Sequence, residues 1–218
     1  MAKLDPTSRL LSSGVVGIIR ANDSSRLVDV AKALLAGGVD CLEVTFTVPK
    51  AHRVLEQVAD ALGDQVLLGA GTVLDPETCR TAILSGAEFI VSPNTNLDVI
   101  AMCKRYTKLS LPGAMTPTEV VAAWQAGANF VKVFPCDVLG PAHIKALRGP
   151  LPQVRMIPTG GVTLETAADF IKAGASGLGI GSSLVEPKAI AAGDWGRIES
   201  LAKQYVEIVR KTRAEMKG

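Results

Sequence analysis

Short apolar runs that end in small or polar residues punctuate this chain at intervals of roughly 20 to 26 residues. They read VVGIIR (15–20), CLEVTF (41–46), VLLGAGT (66–72), FIVSPN (89–94), LSLPGA (109–114), FVKVFP (130–135), RMIPTGG (155–161) and GLGIGSS (177–183). Between them lie segments with helical signals, such as SSRLVDVAKALLAGG, DPETCRTAILSGA, TPTEVVAAWQAGA and TLETAADFIKAGA. Each opens on Asp, Ser or Thr near a Pro or acidic residue and closes on Gly, the residue types that cap helices at their two ends. Four of the helix exits are alike, AGGVDCLEV, SGAEFIVSP, AGANFVKVF and AGASGLGIG, as though one helix-to-strand turn had been reused.

Strand and helix alternating eight times predict a parallel (β/α)8 TIM barrel, with DPTSRLLSS as an extra N-terminal helix capping it. An open doubly wound sheet is the alternative. At the other end, Trp195, Ile198, Leu201, Ala202, Tyr205, Ile208 and Val209 recur at helical spacing and predict a last amphipathic helix. With 218 residues, 48% of them hydrophobic, the chain can bury a large core, and residues 1–218 read as a single domain.

One of the runs carries a charge where its neighbours are apolar. Side chains of a barrel strand alternate between the interior and the surrounding helices, and the helix-facing set is apolar. In FVKVF this sends Val131 and Val133 outward and turns Phe130, Lys132 and Phe134 inward. In CLEVTF it sends Leu42, Val44 and Phe46 outward and turns Cys41, Glu43 and Thr45 inward. These are the second and sixth runs, and even-numbered barrel strands contribute to the same interior layers, so Glu43 and Lys132 are expected to meet directly or through water. A buried pair that merely neutralises itself is one reading, although such pairs seldom stabilise a fold. The other is chemistry. A neutral lysine forms Schiff bases with carbonyl substrates, and an inward carboxylate moves the protons that this requires.

The seventh and eighth runs end in PTGGV and GIGSS, with no carboxylate in either loop. Loops at these positions of a barrel frequently bind phosphate through backbone N–H groups, and glycine permits close approach. Gly160, Gly161, Gly181 and Ser182 are therefore the candidate phosphate ligands, with Ser182 or Ser183 able to add a hydroxyl.

Composition removes other possibilities. The 23 basic and 21 acidic residues are intermixed and leave a net charge of +2, so no nucleic-acid surface is signalled. No run approaches the ~20 apolar residues of a membrane span, and the start MAKLDPTSRLL lacks a signal peptide's apolar stretch, which predicts a cytoplasmic protein without a membrane partner. Cys41, Cys79, Cys103 and Cys136 are 38, 24 and 33 residues apart with no CxxC, so neither a zinc ribbon nor a redox pair is expected. Only two histidines occur, His52 and His143, which weighs against a metal site.

In the order GIIRAN, AGGVDCLEVTFTVP, GAGTVL, FIVSPN, PGAMTPTE, VKVFP, GPLPQVRMIPTGGV and GIGSSLV, residues 10 to 190 resemble the 2-keto-3-deoxy-6-phosphogluconate (KDPG) aldolases of class I. The resemblance implies a Schiff base on Lys132, with Glu43 as general acid/base and neither metal nor other cofactor. It also implies cleavage of KDPG to pyruvate and glyceraldehyde 3-phosphate, with 2-keto-4-hydroxyglutarate (KHG) as a possible second substrate. By the same carry-over Thr72, Pro93 and Phe134 line the pyruvate end, Thr159 to Gly161 and Ser182 meet the phosphate, and the assembly is a homotrimer. Where some members have an arginine thought to hold the substrate carboxylate, this chain has Thr47, and Arg20 at the end of the first run is the replacement candidate, since a guanidinium suits a carboxylate. A sister family that cleaves the galactonate epimer has VGGV where PTGGV stands here, so Thr159 favours the gluconate substrate. A phosphosugar isomerase without a covalent amine, and a phosphometabolite-binding barrel without catalysis, are the competing readings of the same loops.

Overall fold

The computed structural model describes residues 5–216, and its first helix begins where its cap predicts. Asp5 accepts hydrogen bonds from the N–H groups of Thr7 and Ser8, and α1 runs Pro6–Ser13. The chain then alternates through β1 (Val15–Ile19), α2 (Leu27–Ala36), β2 (Cys41–Thr45), α3 (Ala51–Leu62), β3 (Leu67–Gly71), α4 (Pro76–Leu84), β4 (Phe89–Val91) and α5 (Leu97–Arg105). The second half holds β5 (Leu109–Leu111), β6 (Gly113–Ala114), α6 (Pro117–Gln125), β7 (Val131–Val133), α7 (Gly140–Arg148), β8 (Met156–Pro158), α8 (Ala167–Lys172), β9 (Leu178–Ile180), α9 (Pro187–Ala192) and α10 (Trp195–Glu215).

Local chemistry accounts for most of these boundaries. Asp75 and Asn96 cap α4 and α5 through their side chains, and Thr116 with Glu119 forms a reciprocal capping box on α6. The four similar exits are one turn used four times. Gly38, Gly86, Gly127 and Gly174 have φ of 89°, 100°, 95° and 98°, a conformation that strains any residue with a Cβ. After each glycine the next N–H donates five residues back, as Val39 does to Leu34 and Ala175 to Phe170, which is the Schellman arrangement. Two predicted starts shift. The Asp23 carboxylate is engaged by the Ser25 N–H and hydroxyl, and α2 begins only after Arg26. α8 begins after Thr166, whose hydroxyl accepts from the Thr163 N–H and donates to the Gly161 carbonyl, so this side chain serves the glycine loop rather than the helix.

All strand pairs are parallel. β5-β4-β3-β2-β1-β9 form one six-stranded sheet and β6-β7-β8 a three-stranded one. In place of the expected eight strands in a single closed ring, the described residues form nine strands in two curled parallel sheets. The extra strand arises within the fifth run, where Pro112 has no N–H to give the ladder and separates β5 from β6. A single bridge, Thr159 to Gly179, joins the end of β8 to β9.

The alternation read from the sequence sorts the apolar residues into two clusters. Leu42, Val44, Val131 and Val133 belong to a large core between sheet and helices. Cys41 and Phe130 belong to a second cluster, with Val16, Leu67, Phe89, Leu109, Leu111 and Ile157 from the facing strands. Leu10 of α1 enters this inner cluster from the strands' N-terminal side, which is how the first helix caps it. Among the described residues no helix is long and apolar enough to cross a membrane.

Candidate active site

Two residues along the inward face from Cys41 stands Glu43, and two along from Phe130 stands Lys132. Both are buried, 3% and 7% exposed respectively, in the middle of β2 and β7. Burial pushes the Glu43 carboxyl above the ordinary carboxylate value, and the nearby cations Lys132 and then Arg20 pull it back only in part. The two charges therefore share one electrostatic neighbourhood, while no hydrogen bond or salt bridge between them occurs among the described residues. The Lys132 ammonium nitrogen lies 5.0 Å from the centre of the Phe134 ring. A lysine locked in a bidentate partner would be withheld from a substrate; this one is not.

The neighbouring strands are shaped around this pair. Gly71 closes β3 beside β2, and a Cβ there would overlap the Glu43 carboxylate oxygen, so glycine gives the glutamate its position. The next residue, Thr72, has φ +58°, a left-handed conformation that is a strain for a β-branched side chain and tends to persist at functional sites. Gly113 pairs with Lys132 across β6 and β7, and its bare Cα admits the Pro93 carbonyl. Thr72 thus follows the strand beside the glutamate strand, and Pro93 abuts Gly113 of β6, the strand beside the lysine strand. Thr47 is exposed, and its hydroxyl is hydrogen-bonded at 2.8 Å to that of Thr45, which in turn reaches the Ile19 carbonyl at 3.4 Å.

A cavity of about 280 Å³ opens beside Lys132. It brings together Arg20, Lys132, Phe134, Thr159, Gly160, Gly161, Gly181 and Ser182 of the predicted residues, whereas Glu43, Thr47, Thr72 and Pro93 do not line it. Its walls include Ser183 and Gly179. Gly179, the middle glycine of GLGIG, carries no separate signal in the sequence. A Cβ there would overlap the Thr159 hydroxyl, so the glycine makes room for the threonine. That hydroxyl has no partner among the described residues.

The far end of the cavity has the character of an anion site. Gly160 and Gly161 are consecutive left-handed residues, φ 88° and 68°, and a Cβ on Gly161 would stand 2.7 Å from the Asp137 Cα. Among the described residues, the backbone N–H groups of Gly161, Ser182 and Ser183 have no hydrogen-bond partner, while that of Gly160 faces the Gly179 carbonyl in the bridge between β8 and β9. Three free donors on two adjoining loops suit a phosphate, which offers several acceptor oxygens. Arg20, exposed past the end of β1, adds a guanidinium to the same cavity. Among the described residues no group of three His, Cys, Asp or Glu side chains converges as a metal site.

Comparison with known proteins fits this geometry. The model of the KDPG and KHG aldolase family matches residues 7–201. The 2-dehydro-3-deoxy-phosphogluconate aldolase of Treponema pallidum is 38% identical over 199 residues, 89% of this chain and 91% of the relative. The 2-dehydro-3-deoxy-6-phosphogalactonate aldolase of Escherichia coli is 34% identical over 197 residues, 90% of this chain and 96% of the relative. A crystal structure of KDPG aldolase from Legionella pneumophila, with pyruvate captured as a covalent carbinolamine, superposes with a TM-score of 0.83 at 29% identity. It covers 93% of this chain and 98% of that one.

Proposed function

This chain belongs to the KDPG and KHG aldolases, and we propose that it cleaves KDPG to pyruvate and glyceraldehyde 3-phosphate through a Schiff base on Lys132. The reading rests on one observation: a buried lysine, with a buried glutamate in its electrostatic neighbourhood, lines a cavity whose far end is formed by the two glycine loops and their free backbone donors. The neutral Lys132 amine adds to the C2 carbonyl to give a carbinolamine, and loss of water leaves a protonated imine. Glu43 takes the C4 hydroxyl proton. The C3–C4 bond breaks, its electron pair passes through C3 to the iminium nitrogen to form an enamine, and C4 leaves as the aldehyde carbon. Protonation of the enamine at C3 and hydrolysis of the imine release pyruvate and restore the amine. The iminium is the electron sink, so the route draws on no metal ion. A carboxyl whose pKa is raised by burial is a better proton acceptor than an ordinary carboxylate and can return the proton it takes, as these steps require.

The remaining roles follow the same axis. Phe134, Thr72 and Pro93 surround the pyruvate end, Arg20 takes the substrate carboxylate, and Thr47 orders the end of β2 through Thr45. Gly160, Gly161, Gly181 and Ser182 hold the phosphate, and Thr159 reads the C4 configuration. KHG shares the C2 carbonyl and C4 hydroxyl but has no phosphate, and the same steps convert it to pyruvate and glyoxylate.

We read the two sheets as one eight-stranded barrel interrupted at Pro112, because the Lys132 N–H still donates to the Pro112 carbonyl and the Ser176 N–H to Met156 across β8 and β9. Residues 1–218 are then one domain, working in the cytoplasm as a homotrimer, an assembly checked by sedimentation mass.

Borohydride reduction in the presence of pyruvate tests the mechanism. Mass spectrometry is expected to find a pyruvate-derived adduct on Lys132 and none in Lys132→Met, which is expected to be inactive. An adduct elsewhere, or turnover retained in Lys132→Met, overturns the mechanism.

A further inference from the structure

Outside the lining of the cavity lies a polar group that the proposed reaction does not use. Tyr205 of α10 is fully buried at 0% exposure, and its hydroxyl has no hydrogen-bond partner among the described residues. Leaving a buried hydroxyl unpaired costs folding free energy, and buried tyrosines usually find a partner. Of the polar side chains, Ser183 acts on it most strongly, followed by the Glu165 and Glu186 carboxylates. Ser183 is a wall residue of the cavity, two positions after Gly181. Its loop is wound tightly there: the N–H groups of Leu184 and Val185 both donate to the Gly181 carbonyl, at 2.9 and 2.8 Å. Leu184, Val185 and Tyr205 all belong to the core between sheet and helices.

We propose that Tyr205 is a positioning residue for the anion end of the cavity, donating a hydrogen bond to the Ser183 oxygen so that the Ser183 hydroxyl is aimed at bound phosphate. A hydroxyl whose own proton goes to an anion becomes a better acceptor, and two hydrogen bonds in series strengthen one another. Binding of an oxyanion therefore completes the partner that the Tyr205 hydroxyl lacks. Burial pushes the tyrosine up to about 12, which keeps it a neutral donor throughout the working range. The inference rests on the phosphate reading of these loops.

The test uses Tyr205→Phe, which keeps the ring and removes only the oxygen, alongside Ser183→Ala and the double variant. In Tyr205→Phe the KM for KDPG and the inhibition constant of inorganic phosphate are each expected to rise about threefold to tenfold, the worth of one net hydrogen bond. Turnover at saturation and the pyruvate concentration that half-saturates borohydride trapping are expected to stay at wild-type values, since neither engages the phosphate loop. The double variant is expected to lose no more than Ser183→Ala alone. If phosphate competes with substrate in the wild type and competes equally well in Tyr205→Phe, the role of Tyr205 is overturned while the phosphate site stands. If phosphate does not compete in the wild type, both fall. Equal losses for pyruvate and phosphate, or additive losses in the double variant, mean a general packing effect and also overturn the proposal. Should Tyr205→Phe fail to fold, Ser183→Ala decides: an unchanged inhibition constant for phosphate overturns the proposal, and a rise confined to phosphate and KDPG supports it.

Discussion

The floor and the rim of the strand interior are two residues apart and chemically opposite. On β2 the inward face passes from Cys41 to Glu43, and on β7 from Phe130 to Lys132. The floor is closed: Leu10 of α1 plugs it, and Phe89, Leu67 and Ile157 fill the space between strands. The rim opens into a cavity with a guanidinium, unpaired hydroxyls and free N–H groups. The comparison teaches that the floor is part of the chemistry above it. An apolar layer directly beneath Glu43 removes water from one side of the carboxyl, and this desolvation outweighs the two cations that act on it. A glutamate at the same height over a wet interior would be an ordinary carboxylate.

Substitutions that act on one layer and spare the other should separate the two. The largest effect is expected at the rim. Glu43→Gln should slow turnover by on the order of 10² or more, within the range for general acid/base groups; rates near wild type would remove Glu43 from its role. The same variant reports on the floor through stability. A carboxyl raised in the folded state contributes stability that is present in full below its unfolded value, near 4.5, and is lost as pH rises through the folded value. Glutamine has no such loss, so the melting temperature of Glu43→Gln should gain on the wild type as pH rises from about 4.5 toward neutrality. A gap that stays constant with pH would mean that the floor does not desolvate the carboxyl.

Phe130→Ala addresses the floor directly. Phe130 is fully buried, and emptying its site should cost about 3 to 5 kcal/mol in denaturant unfolding. Lys132 should remain trappable by pyruvate in the folded fraction. A loss of trapping without a loss of stability would reverse the assignment of the two layers. The smallest effect is expected from Thr159→Val. Removing a hydroxyl with no protein partner should leave stability nearly unchanged and shrink the preference for the gluconate over the galactonate epimer by roughly threefold to tenfold. An unchanged epimer ratio in kcat/KM would show that Thr159 does not read C4.

Much of this was legible before any coordinates, for reasons that differ between residues. Alternation along β2 and β7 placed Glu43 and Lys132 inward because a strand's period is two and the helix-facing positions Leu42, Val44, Val131 and Val133 had to be apolar. The reused exit turn was legible because a left-handed position after a helix selects glycine at Gly38, Gly86, Gly127 and Gly174. Gly179 and Tyr205 were not legible as site features. A glycine that clears space for Thr159, and a tyrosine beneath a loop 22 positions before it, depend on contacts between elements that no local pattern records. The start of α8 was missed for the same reason, since the Thr166 hydroxyl is bound to the Gly161 carbonyl instead of capping its helix.

Periodicity and turn chemistry were enough to establish the succession of strands and helices, the inward direction of the two charged side chains and the glycine loops, because each is a property of a few consecutive residues. Packing alone settled the rest. It decided that Glu43 and Lys132 would act on each other without a bridge, and that burial would prevail over two cations at Glu43. Those outcomes depend on distances and on the exclusion of water, which come into being only when remote segments meet.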